Sequence, residues 1–465
     1  MLCAAAGQMR FIGAASLSLF GWTLHSGRFI LVFAGLWAAC LAMLLFFPRK
    51  LPRRRRCWAV FIPALACRLF LLPLAPSDDV NRYLWEGRLV QVGINPYHHA
   101  PDDPALSDLA AGDPFHGRIN HPNIPAIYPP LMLMGVSALI RLGYTPLVIK
   151  CAMMLFDLGA VLLLMGLLGR RRLDERWALL YAVNPVVLIA FAGQGHLDAV
   201  QVFFLLAAIR LYDRRRWGWM FFAAGLAVQV KYVAVLALPF LVRRDNFRWL
   251  WAAAPAVLLP FLPFAGEEPE RIFEALKVFG KQFAFNGSVH SLLRRLLGGI
   301  PPATAVCHSL LAASMLFGWL AFHPPRSRRC RNDPVSGCCY AMGALLLFSP
   351  TVHFWYLAWI IPFLALRPSA SWMLLCLTIS LVFMAVAPAP GRDPGRVAAV
   401  LASLCRGSSA RHIASPGACR PSPPGIGIRG HSRPERRGGR GGVCSGRPAG
   451  PTRHGGDLGG RGLDR

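Results

Sequence analysis

The sequence is short of charge and shorter still of acid. Only 15% of its 465 residues are charged, against 55% hydrophobic. That balance excludes an ordinary water-soluble domain and fits a chain that enters a bilayer many times. Acidic residues number 22 and basic ones 50, a net charge of +28. A nucleic-acid surface would spread those cations. Here they fall in clusters between apolar runs: Arg53 to Arg56, Arg170 to Arg172, Arg214 to Arg216, Arg243-Arg244 and Arg326 to Arg331. Such clusters mark loops kept in the cytoplasm. No Cys-x-x-Cys pair occurs among the 13 cysteines, so neither a zinc site nor a disulfide framework is expected. No short-period repeat is present. No small-residue cleavage site follows the first apolar run, which is read as a retained helix rather than a signal peptide.

What is there is hydrocarbon. Apolar runs at about 11–24, 29–48, 57–75, 127–143, 146–169, 177–193, 198–212, 217–242, 248–265, 306–322, 338–366 and 371–388 predict an all-α polytopic membrane protein of about ten to thirteen membrane segments. A large acidic loop, 77–126, follows the third run and faces outward, because the arginines before that run stay inside. Two full crossings at 127–143 and 146–169 would leave Arg170 to Arg172 outside. The first of them, opening on Tyr128-Pro129-Pro130, is therefore expected to dip in and return. The run 217–242 has arginines at both ends and breaks near Gln229 to Lys231. It reads as two half-helices on one face, with Lys231 at the deep point. Residues 1–403 form the membrane domain, with outer loops 77–126 and 266–305. From 404 to 465 the chain is dominated by Arg, Gly, Pro and Ser, with few apolar residues. This reads as a basic disordered tail or as out-of-frame translation of a GC-rich gene, the abrupt change favouring the second; no function is assigned to it.

The chain is organised around Ser77 to Tyr97, SDDVNRYLWEGRLVQVGINPY. Arg82, Glu86 and Val90 share a helical face, and Pro96 is expected to end the helix. The adjacent Asp78 and Asp79 admit three readings: a helix cap, a ligand to a divalent metal with a phosphate, or a general base. Their setting beside Arg82, Tyr83, Trp85 and Glu86 at a membrane exit favours the base. His196 and Asp198 lie at a break opened by Gly193 and Gly195; a structural role and a phosphate or hydroxyl contact both remain open. Lys231 needs an anionic partner, most simply a lipid phosphate. His353, with Trp355 and Tyr356, is an interfacial aromatic belt or a site contact. His290 and Asn286 are weaker candidates.

SDDVNRYLWEGRLVQVGINPY, HPNIPAIYPPL, NPVVLIAFAGQGHLDA, AGLAVQVKYVAVLALP, FAFNGSV and SPTVHFWYLAWIIPFLA stand in this order. Across residues 30 to 390 the chain resembles GT-C-fold bacterial membrane glycosyltransferases that use polyprenyl-phosphate sugars, especially the mannosyltransferase-like group. The resemblance implies an inverting hexosyltransferase, transferring mannose, in the bacterial inner membrane with its site on the extracytoplasmic side. It implies a polyprenyl-phosphate-linked donor, a glycan or lipid acceptor, no nucleic acid, and no metal requirement for such a donor. By the motif the base falls on Asp79, with Asp78 the alternative. Arg82, Glu86, His196, Asp198, Lys231 and His353 become candidates for the donor phosphate and sugar. Trp85 and Tyr97 become candidates for packing on sugar faces. The family continues with membrane helices where this chain has its basic tail. The rival reading is a polytopic transporter or flippase, which would show paired repeats.

Overall fold

A computed structural model describes residues 17–19, 22–24, 26–48, 50–266, 268–323 and 333–381. Apart from one hairpin, the regular structure among them is helical. The longer helices are α1 (Ser26–Leu45), α2 (Arg53–Leu71), α3 (Asp78–Gln91), α4 (Pro130–Leu139), α5 (Pro146–Arg170), α6 (Asp198–Asp213) and α7 (Trp217–Val228). After them come α8 (Glu274–Gln282), α9 (Ser288–Leu297), α10 (Ile300–Phe322), α11 (Pro334–Phe348) and α12 (Ala370–Thr378). Three helical stretches are long and apolar enough to cross a membrane: Pro146–Arg170, Phe247–Phe264 and Ile300–Phe322. A fourth joins them if Glu175–Ala182 and Pro185–Gly193, bent by 48°, count as one span. Large apolar side chains stand exposed along these helices, among them Leu155, Leu162, Leu316 and Phe317. A surface of that kind suits lipid, and these apolar helices mark a membrane protein.

Among the described residues the run at 11–24 shows no helix. The described part of the run at 11–24 is a hairpin in which Leu17–Leu19 pairs antiparallel with Trp22–Leu24, Leu17 opposite Leu24. Leu-Ser-Leu and Trp-Thr-Leu alternate with a period of two, the pattern of a strand rather than a helix. Residues 397–404, whose apolar character in the sequence would allow a further span to begin, and the tail lie outside the described residues.

Both runs expected to dip in and return turn back on themselves within the fold. The 217–242 run is α7, a break, and Tyr232–Leu241. Its two ends meet the same residue: the Trp217 ring packs on Tyr212 at 5.4 Å, and Arg243 Nη1 donates to the Tyr212 hydroxyl at 3.2 Å. For α4, the turn after it returns to the loop it left. The Tyr144 hydroxyl donates to Asp113 Oδ2 at 2.9 Å, and its ring meets Phe115 at 5.3 Å.

At the bend between Ala182 and Pro185 the Val186 N–H donates to Asn184 Oδ1 at 2.9 Å, so the Ala182 carbonyl loses the helical donor four residues on. Arg68 of α2 fills the gap, its Nη1 donating to Ala182 O at 2.6 Å. Its Nε pairs with Asp157 of α5 at 2.7 Å, both side chains fully buried, and the Tyr181 hydroxyl donates to the other Asp157 oxygen at 2.8 Å. The triad ties α2 and α5 to the segment that carries residues 189–198.

The arginine-rich turns gather at one end. Glu175 takes Arg53 and Arg56 at 2.9 Å each. Arg171 pairs with Asp213 at 2.9 Å and Asp333 at 2.7 Å. Helices α2, α5 and α6 run between that end and the one holding Asp78, Lys150 and Asp198.

Candidate active site

The site begins where α3 begins. The Ser77 N–H donates to Gln194 O at 3.0 Å, joining the helix start to the break before α6. Ser77 caps the helix by accepting from the Asp79 N–H at 3.3 Å. Asp78 folds back on the same turn: its Oδ1 accepts from that N–H at 2.9 Å and from the Ser77 hydroxyl at 3.2 Å. Burial and the neighbouring Asp79 charge push the Asp78 carboxyl up to about 7.

Asp79 turns the other way. Its Oδ1 accepts from Asn120 Nδ2 at 2.6 Å and its Oδ2 faces His196 Nδ1 at 3.5 Å. Burial works to raise this carboxyl, but His196 and Asn120 together outweigh it and hold the group below the usual carboxylate range. Of the two aspartates, one completes the cap and the other is presented to the site.

His196 reaches Asp79 through an irregular backbone. Residues 189–193 form a π-type turn, and Gly195 follows at φ +81°. A Cβ at Gly195 would stand 3.0 Å from Lys150 Cγ and 3.1 Å from Val80, so glycine meets both demands. The imidazole is fully buried, and neither ring nitrogen makes a standard hydrogen bond. It stacks on Trp355 at 3.9 Å and 17°, and Trp355 stacks on His353 at 4.4 Å and 5°. Phe285 closes the column on His353 at 5.4 Å. Backbone pairing sets this register: the Phe285 N–H donates to Pro350 O at 3.0 Å and the Val352 N–H to Phe285 O at 2.8 Å.

Lys231 has a partner within the chain. Its ammonium lies 2.8 Å from Asp198 Oδ1, an oxygen that Trp359 Nε1 also contacts at 2.5 Å. It sits over the rings of Tyr356 and Trp359, 4.6 and 4.9 Å from their centres. Asp198 is 2% exposed and Lys231 19%; the cation is the reachable member of the pair. Asp79, His196, Asp198, Lys231 and His353 thus come together.

The other expected residues have different surroundings. Arg82 is buried, donating to Glu86 Oε1 at 2.9 Å and to the carbonyls of Asn120, His121 and Ile124 at 2.8, 2.7 and 3.0 Å. Its guanidinium braces the 120–125 loop, leaving little to offer a phosphate, and Glu86 serves the same brace. The expectation for Trp85 and Tyr97 is corrected, because they are 0% and 1% exposed. Trp85 fills the loop core against His116, and Tyr97 packs on Phe264 with its hydroxyl on Tyr128 O at 2.6 Å. A sugar cannot reach either face without dismantling the loop. His290 pairs with Thr304 at 3.1 Å, and Asn286 holds Val352 O at 3.3 Å.

Asn120 and Trp359 are the site residues the sequence did not reveal as such. Asn120 lies 41 positions from its carboxylate, with no local pattern to signal the pairing. Lys150 is a third buried surprise, donating to Leu72 O and Leu74 O at 2.6 Å each and so fixing the turn that leads into Ser77. Among the described residues no group of three or more His, Cys, Asp or Glu is placed to hold a metal ion.

Residues 4–256 match the family model described as alpha-(1->6)-mannopyranosyltransferase, N-terminal domain, and residues 286–408 match the MptB C-terminal domain. No curated protein and no solved structure matches the chain. The first matched region carries Asp79, Asn120, His196, Asp198 and Lys231, and the second carries His353, Trp355 and Trp359.

Proposed function

The chain belongs to the alpha-(1->6)-mannopyranosyltransferase family, and from that membership we propose that it moves mannose from a polyprenyl-phosphate donor to a hydroxyl of a glycan or lipid acceptor, with inversion at the anomeric carbon. Mannosyl transfer by a glycosyltransferase is the family's activity. The donor, the stereochemistry, the base and the side of the membrane are the proposal.

Asp79 carries it. Its carboxylate is ionised, held from one side by Asn120 and faced from the other by His196. The acceptor hydroxyl loses its proton to Asp79 as its oxygen attacks the anomeric carbon. The bond to the lipid phosphate breaks, and the phosphate leaves with the electron pair. Lys231, released in part from Asp198, takes up that developing charge. The site lies at the end away from the arginine-rich turns, which supports an extracytoplasmic location in the bacterial inner membrane. A donor without a nucleoside diphosphate carries less charge to neutralise, so one ammonium suffices and no metal is needed. The transporter reading gains nothing from the family match, which favours a glycosyltransferase.

The test is transfer from labelled polyprenyl-phosphate-mannose in membranes carrying the full chain. Asp79→Asn should lose about two to four powers of ten while remaining folded. Asp78→Asn, which keeps a capping oxygen, should stay within about tenfold of the parent. The reverse order would move the base to Asp78.

A further inference from the structure

At the end opposite Asp79, the last residue of α5 and the ends of α6 and α7 enclose a cleft of about 440 Å³, lined by Arg170, Leu211, Arg214, Arg216 and Trp219. Its charge is unbalanced. The nearby Asp213 carboxylate is taken by Arg171 through two bonds of 2.9 Å. Arg170 spends one nitrogen on the Asp213 carbonyl at 2.7 Å. No ion pair involving Arg214 or Arg216 occurs among the described residues. At the same end Arg53, Arg56 and Arg171 each have a carboxylate.

The depth of the cleft is marked by indoles. Trp219 and Trp251 are 64% and 67% exposed, and Trp249 packs against Gly218 beside them. Tryptophans left open around a helical bundle sit where acyl chains meet headgroups. Three guanidiniums at that level, with Leu211 and Trp219 as an apolar wall, match a phosphate that carries acyl chains better than a free anion. We propose that this cleft binds the headgroup phosphate of an anionic phospholipid in the leaflet opposite the proposed transfer site. The guanidiniums of Arg214 and Arg216 grip the phosphate oxygens, Arg170 adds charge, and Trp219 packs along the glycerol and upper acyl chains. This inference is independent of the sugar chemistry.

Native mass spectrometry of the full chain, released from neutral detergent with phosphatidylglycerol or phosphatidylcholine of the same acyl chains, tests it. Phosphatidylglycerol should be retained and phosphatidylcholine lost. Arg216→Ala should weaken retention about fivefold, and Arg214→Ala with Arg216→Ala roughly twenty-five-fold. The double Lys variant should keep most of the binding, and Arg54→Ala with Arg55→Ala, exposed at the same end, should leave it unchanged. Equal retention of both lipids, or undiminished phosphatidylglycerol on the double Ala variant with an unaltered melting temperature, overturns the proposal. So does displacement of the lipid by millimolar inorganic phosphate, which would mark a free-anion site.

Discussion

Asp78 and Asp79 are adjacent in the chain and face different tasks in the fold. Successive residues of a helix point about 100° apart, so the side chain that closes the cap and the one that meets His196 cannot be the same. After His196, Asn120 helps to set how acidic Asp79 is. Its N–H favours the ionised carboxylate, so removing it raises the pKa of Asp79 and leaves less base at low pH. Asn120→Ala should move the acid limb of the transfer rate upward by roughly one to two pH units, with a smaller loss at alkaline pH. A pH profile of kcat/KM checks this; an unmoved limb would mean that another group titrates. The aspartate pair was visible in the sequence because both residues are local. Its division of labour was not, because Asn120, His196 and Ser77 reach the pair from three separate segments.

The elements owe their functional shape to where they stop. Helix α3 ends at Gly93, in the left-handed region at φ +79°, with the Ile94 N–H donating back to Leu89 O at 2.9 Å. The expectation that Pro96 ends it is thereby corrected: glycine supplies the C-terminal turn earlier, and Asn95-Pro96 belongs to the loop. Gly287 shows the same dependence on backbone. A Cβ there would lie 2.6 Å from Pro350 O and 2.7 Å from Ser349 O, atoms that cannot swing aside. Gly287→Ala should therefore part the 285–287 and 350–352 segments, unstack His353 and Phe285, and cost about 1–3 kcal/mol. A lower melting temperature together with reduced transfer is the expected result; a parent-like melt would show that the pairing is slack. FAFNGSV and SPTVHFWY were recognisable separately. Their pairing across more than sixty residues was not, because neither has the length or alternation of a strand.

At the scale of the molecule, helices α2, α5 and α6 separate two chemistries. One end collects arginines on Glu175, Asp213 and Asp333; the other gathers Asp79, His196, Lys231 and Asp198. Cysteines introduced at Ser107 and Leu142, in a chain without its native cysteines, should react with an impermeant maleimide added outside intact cells. One introduced at Arg172 should react only after permeabilisation. Labelling of Leu142 from inside alone would make α4 a crossing and reverse the sidedness on which a lipid-borne donor outside depends.

The sequence by itself determined that this chain is helical and apolar. It also placed the arginine-rich turns and indicated that 127–143 and 217–242 turn back. These properties follow from hydropathy and charge summed over neighbours, which any stretch carries with it. Only the tertiary structure decided which aspartate faces the site, that Lys231 pairs with Asp198, that Arg82 holds a loop, and that Trp85 and Tyr97 are core. Each of those depends on a partner brought from far along the chain. A side chain's burial and hydrogen bonds belong to the packed assembly and are written in no single segment.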